Sequence, residues 1–310
     1  MMRAGFAIVI GAPNAGKSTL VNRLVGSKVS IVTRKVQTTR FPVRGVAVEG
    51  ESQIVLVDTP GVFSPRRRLD RAMVRAAWRG VEDADLVVHV VDAGAEDRAG
   101  SDCARASDQL ATRDTAEIAE GLRKTGTRAI LVLNKVDLVR RPRLLELADQ
   151  LFDRAVYIDL FMISAAKGDG VGDLKRRLAA AMPVGPWLYP GDQAADLSSR
   201  LLAAEVTREK IYLRVHEELP YSSAVQTTAF EERADGSARI EQTIFVEREG
   251  QRAILLGKSG ATLRWIGQAA REELAILLGR PIHLFLHVKV KADWAEDRSF
   301  YRETGLDFDV

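Results

Sequence analysis

Ile8-Val9-Ile10-Gly11-Ala12-Pro13-Asn14-Ala15-Gly16-Lys17-Ser18-Thr19 has the form of a strand, a glycine-rich loop and a helix start. Phe6 to Ile10 is a short apolar run of the kind that makes a buried parallel strand. Gly11 and Gly16 free the loop to turn its N–H groups onto one anion, and the helix that follows adds its positive N-terminal end. The stretch matches G-x-x-x-x-G-K-[ST] completely, in the strand-then-helix context that gives the pattern its meaning. Gly11 to Thr19 is therefore read as a nucleotide phosphate site. Lys17 bridges the β- and γ-phosphates as a point charge, and Ser18 places its hydroxyl on Mg²⁺.

Working outward, Thr33-Arg34-Lys35-Val36-Gln37-Thr38-Thr39-Arg40 is a polar loop ahead of an apolar strand, Val43 to Val48. That is where a sensor of the γ-phosphate belongs, and one of the adjacent threonines is expected to join the Mg²⁺ shell. Thr39 is favoured over Thr38. Ile54-Val55-Leu56-Val57-Asp58-Thr59-Pro60-Gly61 is a buried strand ending in an acid. In open α/β sheets ligands bind at that edge, so Asp58 is a second candidate for Mg²⁺ and Gly61 a backbone donor to the γ-phosphate. Val62 follows Gly61, and a valine cannot orient an attacking water, so catalysis by a water-orienting glutamine at this position is not expected.

Further on, Asn134-Lys135-Val136-Asp137 ends another apolar strand. Asp137 can accept from guanine N1–H and the 2-amino group. Adenine would leave that acid unpaired, and a site of this kind discriminates by about 10⁴ or more. Asn134 is expected to tie the base loop to the phosphate loop, and the Lys135 stem to cover the purine face. Ser164-Ala165-Ala166 closes the series, with the Ala165 N–H expected on guanine O6. Helices are expected over Leu69 to Val81, Glu117 to Lys124 and Val171 to Ala181. The stretch 94–113 breaks the rhythm with small and polar residues and reads as a flexible insertion. Arg66, Arg67 and Arg68 read as a solvated loop.

The chain has 310 residues, enough for about two cores. Its 46% hydrophobic and 28% charged residues are those of a globular protein. It holds a single cysteine, Cys103, too few for an internal disulfide and suited to a reducing compartment. No apolar run is long enough to span a bilayer, and no cleavable leader pattern opens the chain. The expected domains are 1–182, a proline- and glycine-marked linker at 183–199, and 200–310 with an acidic tail.

The second domain reads in the order helix, strand, strand, helix, loop, helix, strand. Its loop is Gly257-Lys258-Ser259-Gly260, and a long amphipathic helix, Ala261 to Leu278, follows it. Net charge is only +3, but residues 250–292 hold seven basic residues against two acidic, between acidic neighbours on either side. A G-x-x-G between two helices within a cationic segment is similar to the clamp of a KH domain, which grips about four single-stranded nucleotides. Lys258 and Ser259 would contact phosphate, Lys289 and Lys291 would extend the positive surface, and Trp265 reads as a core aromatic.

Together these residues resemble the Era family, bacterial ribosome-assembly GTPases with a TrmE–Era–EngA-like first domain and a C-terminal KH domain. The likeness rests on Gly11 to Ser18, Gln37 to Arg40, Asp58 to Gly61, Asn134 to Asp137 and Ser164 to Ala166. It continues through Trp187-Leu188-Tyr189-Pro190, Glu218-Leu219-Pro220-Tyr221-Ser222, Val246 to Gln251, Gly257 to Gly260, Val288 to Lys291 and Trp294. It implies an α/β P-loop GTPase domain, mostly parallel with helices on both faces, followed by an α+β type II KH domain. It implies GTP hydrolysis, binding of the 16S rRNA 3′ end and maturation of the 30S subunit. It further implies K⁺ held by Asn14, so that the catalytic set is Lys17, Thr39, Asn14 and Gly61. The implied location is cytoplasmic, with peripheral attachment to the inner membrane left open and no DNA partner expected. Two other readings remain: a GTPase acting on another RNA such as tRNA, and an RNA-binding adaptor with weak turnover. Val36 and Phe41 depart from the proline and histidine common in the family.

Overall fold

The computed structural model describes residues 1–102, 104–215 and 219–310. Cys103 and Glu218, both singled out above, lie outside the described residues. The chain forms two compact units, Met1–Asp196 together with Gly305–Val310, and Leu197–Thr304.

In the first unit β1 (Arg3–Ile10) leads through the glycine loop into α1 (Lys17–Val25). Then come β2 (Val43–Glu49), β3 (Ser52–Asp58), α2 (Arg68–Glu82), β4 (Leu86–Asp92), α3 (Ala93–Ala99), α4 (Ala106–Thr125), β5 (Ala129–Asn134), α5 (Arg141–Phe152), β6 (Tyr157–Met162), α6 (Val171–Ala181) and the two-residue β7 (Ala195–Asp196). The sheet order is β6-β5-β4-β1-β3-β2-β7. The pairs β1–β3, β1–β4, β4–β5 and β5–β6 are parallel, whereas β2 runs antiparallel to both β3 and β7. Both faces are covered, which is why the central strands are apolar in runs rather than on alternate residues, with His89 of β4 a buried exception. On one face Leu20, Val21 and Leu24 of α1 and Leu174 and Leu178 of α6 pack on Val9, Leu56, Val88 and Ile130. On the other, Ala77 and Val81 of α2 and Ile118 and Leu122 of α4 pack on Ile8, Ile10 and Val87. The Leu144, Leu147 and Leu151 stripe of α5 covers Val91, Leu131 and Leu133. Burying each such side chain contributes about 1.5–3 kcal/mol.

Two stretches are placed differently from the sequence reading. The stretch 94–113 is not an irregular insertion but most of α3 and the first turns of α4. Asp92 caps α3 by accepting from the Ala95 N–H, and Arg98 makes a two-pronged contact with Asp108 at 2.8–3.2 Å. Asp108 also accepts from the Arg105 N–H, so one acid starts α4 and anchors α3. Second, Gly305–Val310, expected within the 200–310 domain, cluster with the first unit, where the arginines of α2 meet them.

The second unit runs α7 (Ser199–Arg214), β8 (Ser223–Glu232), β9 (Ala238–Val246), α8 (Glu249–Leu256), α9 (Ala261–Leu278), β10 (Ile282–Val290) and α10 (Arg298–Thr304). Its sheet order is β10-β9-β8, with β8 antiparallel and β10 parallel to the central β9. Ala203, Val206 and Ile211 of α7 and Ile266, Ala270 and Leu274 of α9 cover the sheet residues Ile240, Ile244, Val246 and Ile282. This is the expected α+β type II KH arrangement.

Candidate functional site

Every loop at the C-terminal edge of the first sheet carries part of the candidate nucleotide site. The backbone of Gly16 is left-handed, at φ 96°, and a Cβ there would lie 2.2 Å from Asn134 Nδ2. A Cβ on Gly61 would lie 2.8 Å from the Pro13 backbone. Neither position accepts a side chain, because two other loops pass against it. Asn14 is exposed and also left-handed, at φ 61°, and its amide donates to the Arg34 carbonyl at 3.2 Å. It thereby joins the phosphate loop to the polar loop that precedes β2. Ala12 and Ala15 are buried, while Pro13 and Thr19 are partly so.

Lys17 is buried and donates to the Gly11 and Ala12 carbonyls at 3.0 and 2.9 Å. Burial lowers its pKa to about 8, against the upward pull of Asp58. Ser18, Thr39 and Asp58 converge. The Ser18 hydroxyl donates to Asp58 Oδ2 at 2.6 Å and lies 2.9 Å from the Thr39 hydroxyl, and Thr39 donates to the same Oδ2 at 3.3 Å. Thr38 points elsewhere, to Thr33 Oγ1 and the Lys35 carbonyl, so geometry separates the two threonines that the sequence leaves adjacent. Asp58 is fully buried, which raises its pKa, and its Oδ1 has no hydrogen-bond partner. A buried carboxylate with an unsatisfied oxygen beside two hydroxyls is the donor set of a hard divalent cation. Val62 is buried among Ile8, Ile10 and Ala77, with its N–H on the Gly11 carbonyl. Its side chain belongs to the core.

Asn134 donates to the Ala15 carbonyl at 2.8 Å and accepts from the Ala165 N–H at 2.9 Å. One amide thus joins phosphate loop, base loop and the Ser164–Ala166 turn. The Ala165 N–H, expected on guanine O6, here donates to Asn134 Oδ1. Asp137 sits 3.3 Å from Lys167 Nζ, and hydrogen bonds from Ser164 and Lys167 hold its carboxyl below the usual range. Lys135 spans from the Asn14 carbonyl at 2.7 Å to Asp92 Oδ2 at 2.5 Å. Sequence reading passed over Asp92. It also missed Arg23 of α1, which donates to the Ala165 and Ala166 carbonyls. Asp92 was legible as a helix cap, but its link to Lys135 comes only from the parallel pairing of β4 with β5.

In the second unit Gly257-Lys258-Ser259-Gly260 forms a tight turn between α8 and α9. Gly257, Ser259 and Gly260 all have positive φ, at 69°, 51° and 77°. Lys258 and Ser259 are exposed, and Arg264 donates to the Ser259 carbonyl at 3.2 Å, adding a cation to the loop. Lys291 is engaged elsewhere, ion-paired with Asp297 and 5.7 Å above the Phe245 ring, while Lys289 is exposed. Among the described residues no hydrogen bond or ion pair joins either lysine to the loop. Trp265 is not core. It is 39% exposed, with the Arg214 guanidinium 5.4 Å over its ring.

Comparison with known proteins agrees with both halves. Residues 6–135 match a family model described as a 50S ribosome-binding GTPase, and residues 218–295 match a KH domain. The GTPase Era of Caulobacter vibrioides is 66% identical over 308 residues, covering 99% of this chain and 98% of the relative. The chain belongs to the Era family of GTPases. Era of Maricaulis maris is 58% identical over the same length. Among solved structures, an Aquifex aeolicus Era variant bound to GDP·AlF4⁻ superposes with a TM-score of 0.86 at 35% identity, covering 98% of this chain and 99% of that one. Era in complex with MgGDPNP and nucleotides 1506–1542 of 16S ribosomal RNA gives 0.85 at 34% identity, with the same coverage. An Era GTPase hydrolyses GTP, and this chain is such an enzyme.

Proposed function

We propose that this GTPase is a nucleotide-controlled RNA-binding switch acting on the 3′ region of 16S rRNA during 30S subunit maturation in the cytoplasm. The observation that carries the reading is the convergence of the Ser18 and Thr39 hydroxyls on Asp58 Oδ2, beside the unsatisfied Oδ1 of the same carboxylate, in a chain that also presents a G-x-x-G turn. The relative solved with MgGDPNP and 16S nucleotides supports both ends of it. No helix among the described residues is long and apolar enough to cross a membrane, and attachment to the membrane surface stays outside the proposal.

Ser18, Thr39 and Asp58 would hold Mg²⁺, which supplies positive charge against the β- and γ-oxygens. Lys17 and the N–H groups of Gly11 to Thr19 would face the charge that develops during γ-phosphoryl transfer. Thr39 would join the Mg²⁺ shell only while the γ-phosphate is present, which would make the 33–40 loop the sensor. Asn14 would hold K⁺ at the same phosphates, beside the Arg34 carbonyl its amide already reaches. Asp137, Asn134, Lys135 and the Ser164–Ala166 turn would select guanine. Gly257 to Gly260, with Lys258, would clamp single-stranded RNA, with Lys289 and Lys291 on the same domain contributing positive charge.

Phosphate release from GTP, measured in KCl and in NaCl, tests the first half. Turnover is expected in both, faster in K⁺, with the difference abolished by Asn14→Ala. No turnover in either salt contradicts the enzyme reading, and equal rates contradict the K⁺ assignment.

A further inference from the structure

Helix α2 begins just past Gly61 and carries Arg68, Arg71, Arg75 and Arg79 at helical spacing, so all four share one face. That face is occupied by Gly305–Val310. Arg68 donates to the Phe308 carbonyl at 3.2 Å, and its guanidinium stacks 4.4 Å from the Phe308 ring centre. Arg71 donates to the Val310 carbonyl and Arg75 to the Asp309 carbonyl, both at 3.4 Å. Asp307 sits between Arg75 and Arg79, 3.7 Å from each. Leu306 is buried. The contacts are many and specific, but the ion pairs are exposed, and pairs of that kind are individually weak. Together they suit a contact that forms and breaks.

The first turn of α2, between Arg68 and Arg71, is also tied to the nucleotide sensor. Asp70 Oδ2 accepts from the Arg66 and Arg67 N–H groups at 3.1 and 3.0 Å, which starts the helix. Its Oδ1 accepts from Gln37 Nε2 at 3.2 Å. Gln37 is two residues from Thr39 and has a left-handed backbone, at φ 54°, a conformation that a non-glycine residue holds only when its surroundings fix it. Here the surroundings include Asp70. Gly305–Val310 follows α10 directly in the chain.

We propose that the arginine face of α2 is a latch for the acidic segment Gly305–Val310, closed when Thr39 lies against Ser18 and Asp58, as here, and opened when the 33–40 loop leaves. This rests on the nucleotide-switch reading above and names the element that carries its signal. The latch closes in the GTP state because Gln37 then holds Asp70 and fixes the first turn of α2. It opens after hydrolysis, when that hydrogen bond is lost.

Backbone hydrogen exchange of residues 305–310 in the full chain tests this, with GDPNP and with GDP, alongside GTP turnover on the same preparation. Exchange is expected to be at least fivefold slower with GDPNP. Arg75→Glu with Arg79→Glu should abolish the difference while leaving turnover in place, and adding Asp307→Arg should restore part of it. Gln37→Ala should bring exchange with GDPNP up to the fast level seen with GDP, although every side chain that touches the tail is retained. Equal exchange in the two states of the unaltered chain, with turnover intact, overturns the latch and spares the switch reading. Absence of GTP binding or turnover overturns the reading beneath it. Failure of Asp307→Arg to restore any difference would show that charge on this face is not what holds the segment.

Discussion

Lys17 shows how far a single environment moves a single group. Burial brings its pKa to about 8, so the ammonium is strained in the free protein and waits for a phosphate. A nucleotide phosphate should return the pKa toward or above its ordinary value. At pH 8 roughly half a proton should therefore be taken up on binding GDP, and almost none at pH 6. Titration calorimetry in buffers of different ionisation enthalpy reads this directly. For stability the sign is opposite to that of a gained ion pair. The lowered folded value means the free protein is penalised below pH 8 and relieved as pH rises from 8 toward 10.5. Asp92 makes the second residue-scale case. It caps α3 and holds Lys135, and Asp92→Asn keeps the cap but loses the charge. GDP should dissociate about tenfold faster, since a charge-assisted contact of this type is worth about 1.5 kcal/mol. Guanine selectivity should survive because Asp137 is untouched, and a stopped-flow chase with GTP and XTP as competitors would show both.

At the level of elements, what could be read in the sequence follows from how local each signal is. The strand-loop-helix at Ile8 to Thr19 and the Asn134 to Asp137 turn depend on residues adjacent in the chain, so both were legible. Helix α5 was passed over even though Leu144, Leu147, Ala148 and Leu151 carry the helical period and Pro142 marks its first turn. The stretch 94–113 misled because Ala99-Gly100-Ser101 is locally weak. Its helices are fixed by Arg98 reaching Asp108, a contact that crosses the break. Asp108→Ala should therefore cost about 2 kcal/mol, since it removes a buried acid that serves both helices. Urea unfolding followed by far-UV dichroism would measure the cost, and an unchanged midpoint would return the segment to a flexible insertion. The G-x-x-G turn between α8 and α9 tests a separate element. Lys258→Asp with Gly260→Asp should weaken RNA binding at least tenfold while GTP hydrolysis continues, because the turn lies wholly in the second unit. Filter binding and phosphate release on one preparation separate the two effects, and parallel loss of both would mean the double variant does not fold.

For the whole molecule, long-range contacts carry what the sequence could not show. The boundaries that proline and glycine mark near 183–199 place a linker, yet β7 within it pairs with β2 and extends the first sheet. The acidic end, close in sequence to the KH strands, lies with the first unit because four arginines spaced along α2 meet it there. Neither pairing leaves a local trace. The account therefore rests on one linkage: the state of a phosphate site in one unit sets how the other holds an unpaired strand. A ligand can shift that equilibrium only by its differential affinity for the two states. The most direct measurement is the affinity of the full chain for a synthetic RNA of the 16S 3′ end, in the presence of GDPNP and of GDP at fixed salt. At least a tenfold tighter complex with GDPNP is predicted, and equal affinity in the two states, with GTP turnover intact, would contradict the claim.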